Sequence, residues 1–161
     1  MERHTEEFKE LIANPLFAIE NHGTRHRPCS INGQSAYGIS GTESPEAIYQ
    51  EVEENAQRIA LYTHKKPKFY RSGTAYYDEL AVQLVQELGY EVVGFTIAGD
   101  KGATASAEET EAAVSSAQPG GIILLHMNRP EKLCAEGAIR GFERLREEGY
   151  EFVLVENEEL E

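Results

Sequence analysis

An α/β fold follows from two features of the chain: short, almost wholly apolar runs, and longer amphipathic segments between them that carry helix start and stop signals. The two kinds of segment alternate along the sequence. Apolar runs without polar alternation are what strands buried on both faces require, so the sheet is expected to be parallel and covered by helices. The 161 residues suit one domain, 1–161, large enough to bury a real core. A hydrophobic content of 40% with 27% charged residues is that of a soluble globular protein.

Residues 3–13 read as a helix with Phe8, Leu11 and Ile12 on one face, ended by Asn14-Pro15. LFAIE (16–20) is the first strand, and a polar loop rich in Gly and Ser runs from about Gly23 to Thr42. Ser44 and Pro45 open the next helix as N-cap and first-turn proline, and it should bury Ile48, Val52, Ile59 and Leu61. KFY (68–70) is a strand, and TAYYDELAVQLVQEL (74–88) a helix closed by Gly89. EVVGFTI (91–97) is the third strand. The helix 106–117 is capped by Ser106, with Glu109 at the capping-box position. GIILLHM (121–127) is a strand, 135–149 a helix, and EFVLV (151–155) the last strand.

The formal net charge is −13, carried by EEFKE, EVEEN, REEGYE and ENEELE, which read as solvated helix faces. Such a surface repels phosphate backbones, so nucleic acid is not an expected partner. The first residues, MERHTEEFKE, lack an apolar signal-peptide core, and no apolar run is long enough to cross a bilayer. Cys29 and Cys134 form no CxxC pair, and Cys134 reads as a small buried or half-buried apolar residue.

The functional signal is positional. His22 follows LFAIE, Arg71 follows KFY, Asp100 lies just past EVVGFTI, and His126 ends GIILL. Each strand delivers an ionisable side chain at its C-terminal end, the edge where β/α folds build their sites. One such residue alone is ordinarily a hydrogen-bonded structural group; four on one rim are a candidate site. His22 and His26, four apart, would share one side of a helical turn, as in His-x3-His zinc sites. Two exposed loop histidines are the plain alternative. Cys29 is discounted as a third ligand because Pro28 intervenes. Ser40 in GISG lies in a loop and not at a nucleophile elbow, and no GxGxxG or GxxxxGK is present. The loop 29–43 is long for a β–α connection; such loops contact substrate or simply cover surface. Tyr37, Tyr76 and Tyr77 suit either stacking on sugar rings or packing.

ENHGTRH resembles the His-x-x-x-His motif of the polysaccharide deacetylases (the NodB-homology domain, carbohydrate esterase family 4). YRSGTAYYDE with LVQELGYEVVGF resembles that family's arginine motif, AGD its later aspartate motif, and IILLHM its Leu-x-His motif, all in family order. The resemblance implies a distorted (β/α) barrel of about seven strands that removes acetyl groups from N-acetylated sugars of a polysaccharide or peptidoglycan. A divalent metal, usually zinc, is the implied cofactor, with an N-acetylated glycan as partner. By position, His22 and His26 would hold the metal, His126 would protonate the departing amine, and Asp100 would orient that imidazole. Arg71 would hold the catalytic carboxylate, and Leu124 would wall the pocket for the acetyl methyl. Tyr37 is the candidate sugar-contacting aromatic.

The family's first motif, Thr-Phe-Asp-Asp, has no counterpart here. Its aspartates are the general base and the third metal ligand. The expectation is therefore an incomplete barrel of about five parallel strands, N-terminally truncated, with little activity on its own. Ser72-Gly73 stands where relatives have proline-tyrosine, and Met127-Asn128 where many have aspartate after the histidine. A non-catalytic glycan- or protein-binding relative is the alternative. Relatives act mostly in the periplasm, cell envelope or outside the cell, but this chain carries no address.

Overall fold

The computed structural model describes residues 4–159. They form an α/β structure of two compact units: one runs to Val93 and resumes at Val153, the other is Gly94–Phe152.

In the first unit, α1 (Thr5–Ala13) sets Phe8 edge-on to Tyr62, with ring centroids 5.5 Å apart. The long helix α2 (Pro45–Thr63) starts where expected, with the Ser44 hydroxyl accepting from the Ala47 amide. It buries Ile48, Val52 and Ile59, worth about 1.5–3 kcal/mol each at most. Leu61, expected in that stripe, is 75% exposed. It falls two residues past Ile59, about 200° around the helix and therefore on the far side.

Strands β1 (Phe69–Tyr70) and β2 (Glu91–Val92) pair in parallel. The expected strand 16–20 does not form; its Glu20 carboxylate instead accepts from the Phe69 amide at 2.7 Å. Only Asn21 pairs, in parallel, with Tyr70. Helix α3 (Glu79–Glu87) starts five residues later than the sequence suggests. Tyr76 and Asp78 spend their backbone groups on Cys29, and Ala75 has a left-handed φ of 54°. Asp78 is then the N-cap, accepting from Ala81 and, from the loop, Ile31, each at 2.8 Å. Gly89, φ 87°, follows the helix as expected. Ile48, Val52, Tyr70, Val85 and Tyr90 form this unit's core around the buried Cys29.

In the second unit, β3 (Ile97–Ala98) and β4 (Ile123–Leu124) pair in parallel. EVVGFTI is thus not one strand: Glu91 and Val92 pair with β1, whereas Ile97 pairs with β4. The capping box of α4 (Ala107–Ser115) is present, with Ser106 and Glu109 each accepting the other's amide. Helix α5 (Cys134–Glu147) lies close against α4. A Cβ at Gly137 would overlap the Ala107 carbonyl, and one at Gly141 would stand 2.7 Å from Val114 Cβ. Two glycines four apart thus give α5 a bare stripe that lets α4 approach. Val114, Ala117, Ala138 and Leu145 are the core, and Cys134 is buried there as expected, its thiol donating to Ala105.

The expected strand 151–155 is absent: 151–154 have no regular structure, and Val155–Asn157 is a 3-10 turn. Apolar residues favour a strand only when a neighbour completes the ladder, and among the described residues none pairs with this segment. No helix among the described residues is long and apolar enough to cross a membrane.

Candidate active site

Within the first unit, the Asn21–Tyr70 pairing brings the segment after Glu20 beside the end of β1. Arg71 donates its amide to Asn21 at 2.9 Å, and the next side chain along, His22, donates from Nδ1 to the Arg71 carbonyl at 2.9 Å. A carbonyl can only accept, so Nδ1 carries the proton and Nε2 is the nitrogen with the lone pair. His26 lies beside it, with ring centroids 5.2 Å apart and planes perpendicular. The segment is no helical turn: residues 22–28 are irregular, and His26 has a left-handed φ of 59°. Sequence spacing therefore brings the two imidazoles together, by a loop and not a helix.

The Arg71 guanidinium donates from Nε to the Val93 carbonyl at 3.1 Å, and burial holds it below its ordinary value. Behind it, the Tyr77 hydroxyl accepts from the Ser72 amide at 2.6 Å, and burial pushes that phenol up. Gly73 is demanded by the histidine loop, because a Cβ there would overlap His26 Cα. This accounts physically for Gly73 in the segment after the arginine. Tyr37 is 88% exposed, at the loop tip with φ 54°.

Within the second unit, the ends of β3 and β4 bring Asp100 and His126 together. Asp100 is 1% exposed and grips His126 twice: Oδ1 accepts from the ring Nδ1 at 2.8 Å, and Oδ2 from the backbone amide at 2.6 Å. Such a two-point hold fixes the ring's tautomer and orientation and leaves Nε2 as the nitrogen not bound to Asp100. The His126 side chain keeps 31% exposure. Leu124 lies half-buried in β4, two residues before it.

As donors for a divalent metal, His22 and His26 fit in part. His22 has the hydrogen-bonded Nδ1 that metal-binding imidazoles use to fix the ligating nitrogen. Among the described residues, however, no group of three His, Cys, Asp or Glu side chains is placed to hold an ion. Cys29 adds nothing, since burial pushes its thiol up to about 12 and keeps it protonated at neutral pH. An open catalytic zinc site takes three protein ligands, and this pair would supply two of them.

Sequence reasoning missed Glu51 and Asn55. Both lie on the inward side of α2 near Val52, Ala56 and Ile59; Glu51 accepts from the histidine loop's amides, and Asn55 donates to Asn21 just before it. Polar residues at inward helical positions were the available signal.

Comparisons with known proteins bear on the family and the fold. The family model described as polysaccharide deacetylase matches residues 1–93, more than half of the chain. No curated protein matches. Among solved structures, a family 4 acetyl xylan esterase from Clostridium thermocellum, in complex with a cobalt ion, has a TM-score of 0.80 at 23% identity. That match covers 98% of this chain and 70% of the esterase. The Xyl-CE4 domain of a multidomain xylanase from the hindgut metagenome of Trinervitermes trinervoides gives 0.77 at 18% identity, covering 98% and 70%. A CE4 family pseudoenzyme from Bacillus anthracis gives 0.72 at 16% identity, covering 92% of this chain and 48% of that one. These likenesses establish the fold as that of an incomplete deacetylase-type barrel. With residues 1–93 matching its family model, the chain belongs to the polysaccharide deacetylase family.

Proposed function

We propose that the 161 residues act as one deacetylase-type domain that hydrolyses N-acetyl groups on the sugars of a polysaccharide or peptidoglycan. The observation that carries this reading is the Asp100–His126 pair at adjacent strand ends, in a chain of this family. Hydrolysis of an acetamide adds water to the carbonyl carbon, breaks the C–N bond and leaves acetate and an amine. The amine departs only if its nitrogen is protonated, and His126 delivers that proton from Nε2 while Asp100 holds Nδ1. Leu124 borders the space for the acetyl methyl, Arg71 holds an anionic group, and Tyr37 stacks on a neighbouring sugar. His22 and His26 hold a divalent metal, zinc or cobalt, which when bound polarises the carbonyl and activates water.

Two protein ligands hold a metal less firmly than three, so this chain alone is expected to be slow. The same donor count favours a second reading, a glycan-binding relative without catalysis. Acetate release from N-acetylglucosamine oligomers, with zinc or cobalt and with chelator, separates them. The expected result is slow, metal-dependent release that falls at least about 100-fold in His126→Ala. Release unchanged by that substitution would overturn the assignment of the acid. No release, with oligomer binding indifferent to metal, would establish the binding module instead.

A further inference from the structure

The histidine loop is built on one turn of α2. The Glu51 carboxylate is 3% exposed, and its Oε1 accepts from the Arg25 amide at 2.9 Å and the Arg27 amide at 3.3 Å. Its backbone carbonyl accepts from the Thr24 amide at 2.9 Å and the Thr24 hydroxyl at 3.0 Å. Asn21 completes the seat: its Oδ1 accepts from Gly23 and Asn55, and its Nδ2 donates to the Val52 carbonyl.

One oxygen drawing in the amides on either side of His26 forces those two N–H vectors to converge. The residue between them is pushed to the apex of a bend, which is where His26 takes its left-handed φ. Gly23 matches this arrangement, because a Cβ there would stand 2.6 Å from Glu51 Oε1. Burying a carboxylate is costly, and a loop held only for packing has no need of one. A charged acceptor binding two amides supplies stiffness that a neutral side chain does not.

We propose that Glu51 is a positioning residue that sets the angle and spacing of the His22 and His26 imidazoles for metal binding. The proposal rests on reading those histidines as ligands. Cobalt(II) titration of the full chain, followed by visible absorption, tests it together with amide hydrogen exchange at Arg25 and Arg27 without added metal. Glu51→Ala should raise exchange at both amides at least tenfold and weaken cobalt binding by about 10- to 100-fold. Glu51→Gln keeps the acceptor oxygen without its charge, and should fall between wild type and Glu51→Ala, losing less than about tenfold. Ile59→Ala, on the same helix, should lower the thermal midpoint and leave cobalt affinity unchanged.

Should Glu51→Ala not fold, Gly23→Ala drives a methyl group at the carboxylate and should give the same loss. Wild-type cobalt affinity in the folded Glu51→Ala chain, or in Gly23→Ala, would overturn the proposal. So would an equal loss in Ile59→Ala. A His22→Ala chain that binds cobalt as tightly as wild type would instead sink the ligand reading itself, and this proposal with it.

Discussion

The two units present their histidines in opposite ways. In the second, His126 is held by a buried carboxylate at both its ring and its amide, and the pair is complete within two adjacent strand ends. In the first, His22 and His26 are exposed on an irregular loop whose order comes from hydrogen bonds to its backbone. One unit therefore fixes its histidine through the side chain, the other fixes the loop that carries its histidines and leaves the rings exposed. The lesson is that a histidine's role is legible less from its spacing than from what grips it.

Substitutions should make that difference measurable. Asp100→Ala removes the acceptor for two donors at a nearly fully buried position, and should destabilise the protein by about 2–4 kcal/mol. His22→Ala and His26→Ala remove exposed side chains and should cost under about 1 kcal/mol. Urea unfolding of the three variants reads both effects; equal losses would erase the contrast between the units.

A smaller effect concerns the cap under the first unit's loop. Burial alone would raise the Asp78 carboxyl, but the amides of Ala81, Ile31 and Leu80 and the Ser30 hydroxyl outweigh it and hold the group below its ordinary 3.8. A carboxyl depressed by folding stabilises above its unfolded value and loses that contribution as pH falls through its folded one. Asp78→Ala should thus cost about 1 kcal/mol at pH 7, with the difference shrinking below about pH 4. Urea midpoints at pH 7 and pH 3 check this, and a gap that persists at pH 3 would contradict the assignment.

Much of this organisation is written in the chain. The caps at Ser44 and Ser106 and the closing Gly89 lie where local chemistry puts them, because each depends on a few neighbouring residues. The strand ends carrying Arg71, Asp100 and His126 follow from apolar runs that do pair. Strands at 16–20 and 151–155 were not to be had from apolarity alone, since a ladder needs a partner and Glu20 occupies the Phe69 amide. The start of α3 was obscured because Tyr76 and Asp78 pair with Cys29, 47 and 49 residues away. The seat of the histidine loop on Glu51 is likewise long-range, though a carboxylate among Ile48, Val52 and Ile59 was a readable hint.

The most direct measurement is 15N NMR of the histidine rings during zinc titration. The expected result is a coordination shift at Nε2 of His22 and at a ring nitrogen of His26, while His126 keeps its proton on Nδ1 throughout. A coordination shift at His126, or none at either member of the pair, would contradict the division of labour between the two units.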